Sequence, residues 1–88
     1  MLGRKKSSPS AAFGLVLRDI RKLRGMSQEA LALEADLQRN YISLIERGIN
    51  QPTITTIFKL ATALEVKPSV IVARTEERTD QIASNKSQ

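Results

Sequence analysis

Between Ser27 and Gly48 the chain has room for two short helices joined only by Asp36-Leu37-Gln38. Ser27 is a good N-cap, since its hydroxyl can accept a hydrogen bond from a free N–H of the first turn. Residues Gln28 to Ala35 then present Leu31, Ala32 and Ala35 inward, and the small alanines let another helix cross closely. The segment LQRNYISLIERG, residues 37–48, puts Leu37, Ile42 and Ile45 on the inner face of a helix from about Arg39 to Arg47, which Gly48 ends. A link this short forces a large crossing angle, which is the geometry of a helix-turn-helix.

Similar punctuation brackets this pair. A first helix is expected from about Ala11 to Arg24, with Phe13, Leu17, Ile20 and, at its margin, Leu23 recurring at helical spacing. Arg18, Arg21, Lys22 and Arg24 suit the negative end of the helix dipole, and Gly25 stops it. Met26 and Leu31 are placed as a hydrophobic staple around Ser27. Pro52 and the N-cap Thr53 open a fourth helix with the apolar set Ile54, Ile57, Phe58, Leu60, Ala61 and Leu64. Pro68 suits the first position of a short fifth helix, with Val66 and Ile71 as its staple. Strand-like alternation and internal repeats are both missing. The expected fold is all-α, a compact five-helix bundle containing the helix-turn-helix. Residues 1–10, with the basic cluster Arg4-Lys5-Lys6, read as a flexible arm, 11–74 as the folded domain, and 75–88 as a polar tail whose aliphatic residue is Ile82.

Size and composition narrow the chemistry. A chain of 88 residues is one small domain, burying roughly 60–65% of its unfolded surface, with little room for an enclosed catalytic cleft. It contains no cysteine and no histidine. Disulfides, thiolate metal sites, zinc modules and Ser/His/Asp or Cys/His nucleophiles are therefore excluded, so neither an enzyme nor a metal or cofactor is expected. The net charge of +5 fits a polyanionic partner or plain solubility equally well. No apolar run approaches the ~20 residues of a membrane span. MLGRKKSSPS carries the positive flank of a signal peptide without an apolar region after it, so a cytoplasmic location is expected.

The outer side of the third helix holds Arg39, Asn40, Ser43 and Leu44. Arginine can donate two hydrogen bonds to guanine O6 and N7, and asparagine can pair bidentately with adenine. Each such pair discriminates by roughly 1–3 kcal/mol. Leu44 suits a thymine methyl, whereas Ser43 discriminates little. The competing reading of the same residues is a solvated polar first turn.

Taken in order, SQEALA, YISLIERG, QP and LATALEV resemble the Cro and phage-repressor type of helix-turn-helix, a lambda-repressor-like DNA-binding domain. The match runs from Phe13-Gly14 to about Ile71, and RNYISLIERG looks most like the controller proteins of restriction–modification systems. The resemblance implies that Arg39, Asn40, Ser43 and Leu44 face base edges. It implies that Gln28 contacts the DNA backbone and braces the recognition helix, and that Asn50 clamps phosphate, with Arg47 and Thr53 assisting. Tyr41 matches a position that reaches phosphate through its hydroxyl; the alternative is a half-buried aromatic on the helix flank. Thr53 is alternatively only a cap. Arg21 and Glu46 align with a largely buried salt bridge between the first and third helices. Two departures stand out: Asp36 occupies a turn position usually held by glycine, and Lys67 one where a Ser or Asp cap is common. Leu15, Val16 and Leu23 widen the core beyond the first helix's inner face or touch a partner.

A single recognition helix reads about four base pairs, too few to find a site in a genome, so a homodimer on a palindromic operator is expected. Val70, Ile71 and Val72 are consecutive and cannot all point inward, which makes them a candidate interface with Ile49, Ile54 and Phe58. The expected function is a sequence-specific DNA-binding transcriptional regulator with double-stranded DNA as partner and no membrane partner. Glu29 and Glu34 are candidate acidic contacts for RNA polymerase. An antitoxin and a protein adaptor that never binds DNA are the alternatives.

Overall fold

Caps fix where the helices begin and end. The computed structural model describes residues 8–86, and these form α1 (Pro9–Leu23), α2 (Gln28–Ala35), α3 (Arg39–Glu46), α4 (Ile54–Leu64) and α5 (Pro68–Lys86), with no strand among them. Ser27 caps α2 by accepting from the Ala30 N–H, and Thr53 caps α4 by accepting from that of Thr56. Ser8 caps α1 by accepting from Ser10 and Ala11, with Pro9 just behind it. The first helix therefore starts two residues before the expected Ala11, because serine followed by proline is itself a start signal. The arm residues Arg4, Lys5 and Lys6 lie outside the described residues.

The first four helices all end in the same way. A residue with positive φ follows each helix: Gly25 at 68°, Asp36 at 57°, Gly48 at 76° and Glu65 at 59°. The next N–H then reaches back to a carbonyl five residues earlier: Met26 to Arg21, Leu37 to Ala32, Ile49 to Leu44 and Val66 to Ala61. This is the Schellman arrangement, and it favours an apolar residue just past the turn. Met26, Leu37 and Val66 pack against the core, whereas Ile49 is 61% exposed. Asp36 accommodates the turn usually left to glycine, as expected. Glu65 gave no such signal in the sequence; Arg24 binds both its carboxylate and its backbone carbonyl, at 3.2 and 3.1 Å.

One core joins the five helices. Leu17, Leu31, Ile42, Ile45, Leu60, Leu64 and Ile71 are fully buried, with Phe13, Val16, Ile20 and the small Ala32, Ala35 and Ala61 between them. α1 packs on both α3 and α5, while α2 lies against α3 and α4. Val16 joins the core, but Leu23 is 79% exposed, because it sits in the final turn of α1, beyond the helices that cover Ile20. Within α4, Ile54 and Phe58 turn outward and only Leu60, Ala61, Leu64 and Thr56 are buried.

The fifth helix is not short. It continues to Lys86, into the stretch 75–88 that was expected as tail. After Pro68 no glycine or proline interrupts it, and Arg78 reaches Asp19 of α1 at 2.6 Å. Ile71 is a further correction: it is fully buried within the protomer, since it faces α1 as the first helix-spaced core residue of α5. It cannot form part of an exposed dimer patch.

Asp36→Gly should relieve the left-handed strain at the α2–α3 turn. We expect a gain of about 0.5–1 kcal/mol, read as a higher urea midpoint with an unchanged denaturant slope.

Candidate nucleic-acid interface

A buried carboxylate holds α3 in place. The Glu46 Oε2 accepts from Arg21 Nε at 2.6 Å, and its Oε1 accepts from Arg21 Nη2 at 2.9 Å and from Gln28 Nε2 at 3.0 Å. Arg21 Nη1 in turn donates to the Met26 carbonyl at 2.8 Å. One cluster thus links α1, the α1–α2 turn, the start of α2 and the end of α3. Both charged partners are buried, Arg21 at 8% and Glu46 at 7% exposure. The hydrogen bonds to Glu46 raise the Arg21 pKa above its ordinary value, against the opposing effect of burial. The expected structural salt bridge is therefore present, with the two-pronged geometry that makes a buried pair tolerable. Gln28 completes it and braces α3. An amide nitrogen has two donors, and one N–H of Gln28 serves Glu46.

With its inner face fixed by Ile42, Ile45 and Glu46, α3 turns the opposite side outward. Arg39 and Asn40, at its first turn, are exposed and hold no side-chain hydrogen bond or ion pair among the described residues. Gln38 makes no side-chain cap hydrogen bond at the start of α3. Ser43 and Leu44 are half-buried further along the helix. Tyr41 is half-buried and packs against the core, the flank position named as its alternative. Arg47, past the last turn, is exposed and likewise unpaired among the described residues.

The loop after α3 is more committed to structure than its sequence suggested. The Asn50 N–H donates to the Leu44 carbonyl at 3.2 Å, so it helps to close α3. The Thr53 hydroxyl caps α4 and contacts the Thr56 hydroxyl at 3.0 Å. Both residues still border the exposed side of this loop through their side chains.

A helix-turn-helix family model, HTH_3, matches residues 17–71, the span in which these three helices are locked together. The chain belongs to this family. Among its relatives, the control protein C.BamHI of Bacillus amyloliquefaciens is 49% identical over 57 residues, covering 64% of this chain and 70% of that protein. The restriction–modification controller protein C.AhdI from Aeromonas hydrophila shares 41% identity and a TM-score of 0.68 over 69% of this chain and 92% of its own. A third, C.Esp1396I, was solved as a tetramer in complex with its natural 35-base-pair operator. It shares 32% identity and a TM-score of 0.76 over 84% of this chain and 97% of that one. The resemblance of RNYISLIERG to restriction–modification controllers is borne out by these relatives.

Away from α3, this HTH_3 chain exposes Ile49, Ile54, Phe58 and Val72, the last at 50%, and leaves Val70 half-buried. These are the residues other than Ile71 that were expected to meet a second copy. Leu33, 83% exposed on α2, was not anticipated at the surface or in the core. Sequence reading also passed over Gly14, which is buried in α1 against the end of α3. The available signal was a glycine inside a run of good helix formers, where it is unfavourable unless something needs the space.

Glu46→Ala should leave the Arg21 charge buried without a partner and cost about 3–5 kcal/mol. In the double variant Arg21→Met/Glu46→Leu most of that loss should return, because two apolar groups need no partner. Urea denaturation of the two variants alongside the parent protein checks both outcomes.

Proposed function

We propose that this HTH_3 chain is a sequence-specific DNA-binding transcriptional regulator that acts in the cytoplasm as a homodimer on a palindromic operator, in the manner of a restriction–modification controller. The observation that carries this reading is α3 itself: its inner face is pinned by the Glu46 cluster while Arg39 and Asn40 stand exposed and unpaired at its N-terminal end. An α-helix fits the major groove of B-DNA, and its N-terminal residues reach base edges when the preceding helix spans the backbone. Arg39 would read a guanine and Asn40 an adenine, with Leu44 on a thymine methyl and Ser43 as an undiscriminating contact.

Phosphate contacts would set the register. The start of α2 offers free N–H groups and partial positive charge, and the second amide N–H of Gln28 would add a donor there. Arg47 would add charge on the far side of α3, with the Tyr41 hydroxyl and the side chains of Asn50 and Thr53 beside it. Two copies would meet through Ile49, Ile54, Phe58, Val70 and Val72, which gives two half-sites and enough information to define an operator. The solved operator complex of C.Esp1396I, a tetramer on DNA, supports an oligomeric mode of binding. The exposed outer face of α2, with Glu29, Leu33 and Glu34, is the surface we assign to RNA polymerase. The role is binding, not catalysis. The described residues include no helix long and apolar enough to cross a membrane.

Selection of the purified protein against a random duplex library at about 150 mM salt should enrich a two-fold motif with half-sites about ten base pairs apart. Binding that is only salt-sensitive, with no enriched motif, overturns the reading. Arg39→Ala should then weaken the enriched site by about 1–3 kcal/mol and relax one base position, whereas Arg47→Ala should weaken all sequences more evenly. Competition binding against single-base variants of the motif separates the two patterns.

A further inference from the structure

Gly14 lies inside α1 and is buried. A Cβ at this position would overlap the Ile45 carbonyl oxygen and sit 2.6 Å from the Glu46 carbonyl oxygen and 2.9 Å from its carbon. All three are backbone atoms of the last turn of α3, so no side-chain rotation can relieve the overlap. The Ile45 oxygen is already the acceptor of the Gly48 N–H at 2.9 Å, in the turn that ends α3. The Glu46 side chain is tied to Arg21 and Gln28. On the α1 side, Phe13 and Leu17 anchor the same stretch of helix in the core. A second close approach lies next to the first: a Cβ on Gly48 would be 3.0 Å from the Ala11 Cα. The two glycines bring α1 and the end of α3 to backbone contact.

We infer that Gly14 is a positioning residue for sequence reading: by admitting the end of α3 against α1, it sets the tilt at which Arg39 and Asn40 meet the bases. The inference rests on the operator-binding reading above. α3 is anchored at mid-length by the fully buried Ile42, so a push at its far end turns the helix about that point and swings its first turn, with Arg39 and Asn40, the other way. Relieving the overlap takes more than the roughly 0.5 Å within which a binding constellation must be held. Bidentate contacts to base edges lose most from such a tilt, while phosphate contacts through long or mobile side chains lose little.

The test measures the ratio of affinities for the selected operator and for a scrambled duplex of equal length, at low temperature, for the parent protein, Gly14→Ala and Gly25→Ala. Gly25 also has positive φ, but nothing lies within 4 Å of its Cβ position, so its variant is strained without pushing on α3. In Gly14→Ala the ratio should fall about tenfold or more, while Gly25→Ala should lose stability and keep the parent's ratio. A purely structural role lowers the folded fraction and scales both affinities together. An unchanged ratio in Gly14→Ala therefore overturns the inference. If Gly14→Ala is unfolded, trimethylamine N-oxide is added to all three proteins to favour the compact state. If it remains unfolded, Gly48→Asn decides, since asparagine tolerates positive φ and carries the smaller overlap at the same junction. Its ratio should fall about threefold or more, and a ratio equal to the parent's overturns the inference. A parent protein with no preference for the operator overturns the operator-binding reading itself, whichever way the variants behave.

Discussion

The Glu46 carboxylate sits where three helices and a turn converge, and the useful surface of α3 depends on it. An eight-residue helix is too short to be stable by itself, so its orientation has to come from what it packs against. Ile42 and Ile45 supply apolar burial, but burial is non-directional and leaves rotation about the helix axis loosely defined. The directional part comes from Arg21 and Gln28. Two prongs of a planar guanidinium and one amide N–H meet both oxygens of one carboxylate, which fixes α3 in rotation as well as in position. The charge that does this is buried, so it is costly if unmatched and specific when matched.

Arg39 and Asn40 are unpaired among the described residues, while Glu46 at the other end of α3 is fully engaged. The helix exposes Arg39 and Asn40 on one side and buries Ile42, Ile45 and Glu46 on the other, with Tyr41, Ser43 and Leu44 half-buried between them. The same division appears in the turns. Backbone N–H groups of residues 48–50 close α3, and side chains alone are left over for outside partners.

Much of this was legible in the sequence, because the signals were local and had a mechanism. Ser27, Thr53, Gly25, Gly48 and Asp36 marked helix ends through capping chemistry, and the spacing of Leu31, Ile42, Ile45, Leu60 and Leu64 marked inner faces. The Arg21–Glu46 pair and the bracing role of Gln28 were legible only through the family resemblance, since 25 residues separate the charged partners and no local rule connects them. What failed had tertiary causes. Residues 75–84 look like a tail by polarity, yet they continue α5 beside α1, with Arg78 on Asp19. Ile71 was grouped with Val70 and Val72, although helix geometry sends it fully inward. Glu65 takes a left-handed turn that nothing in a glutamate announces; Arg24, in the turn after α1, contacts it. The base-contacting and dimer-forming roles of individual residues are a matter of partners, and the fold shows only which side chains are available.

The four helix-ending turns also carry a kinetic consequence. Three of them are latched by a half-buried apolar side chain packed against the core, and the fourth, after α3, leaves Ile49 in solvent. That turn has the least to lose on opening, so local unfolding should begin there and spread into the loop before α4 while α1, α2 and α3 remain joined through Glu46. In amide hydrogen exchange, residues 49–53 would be the weakly protected link between helices that share one core. Ile49, the first of the apolar residues expected at the subunit contact, lies in that link.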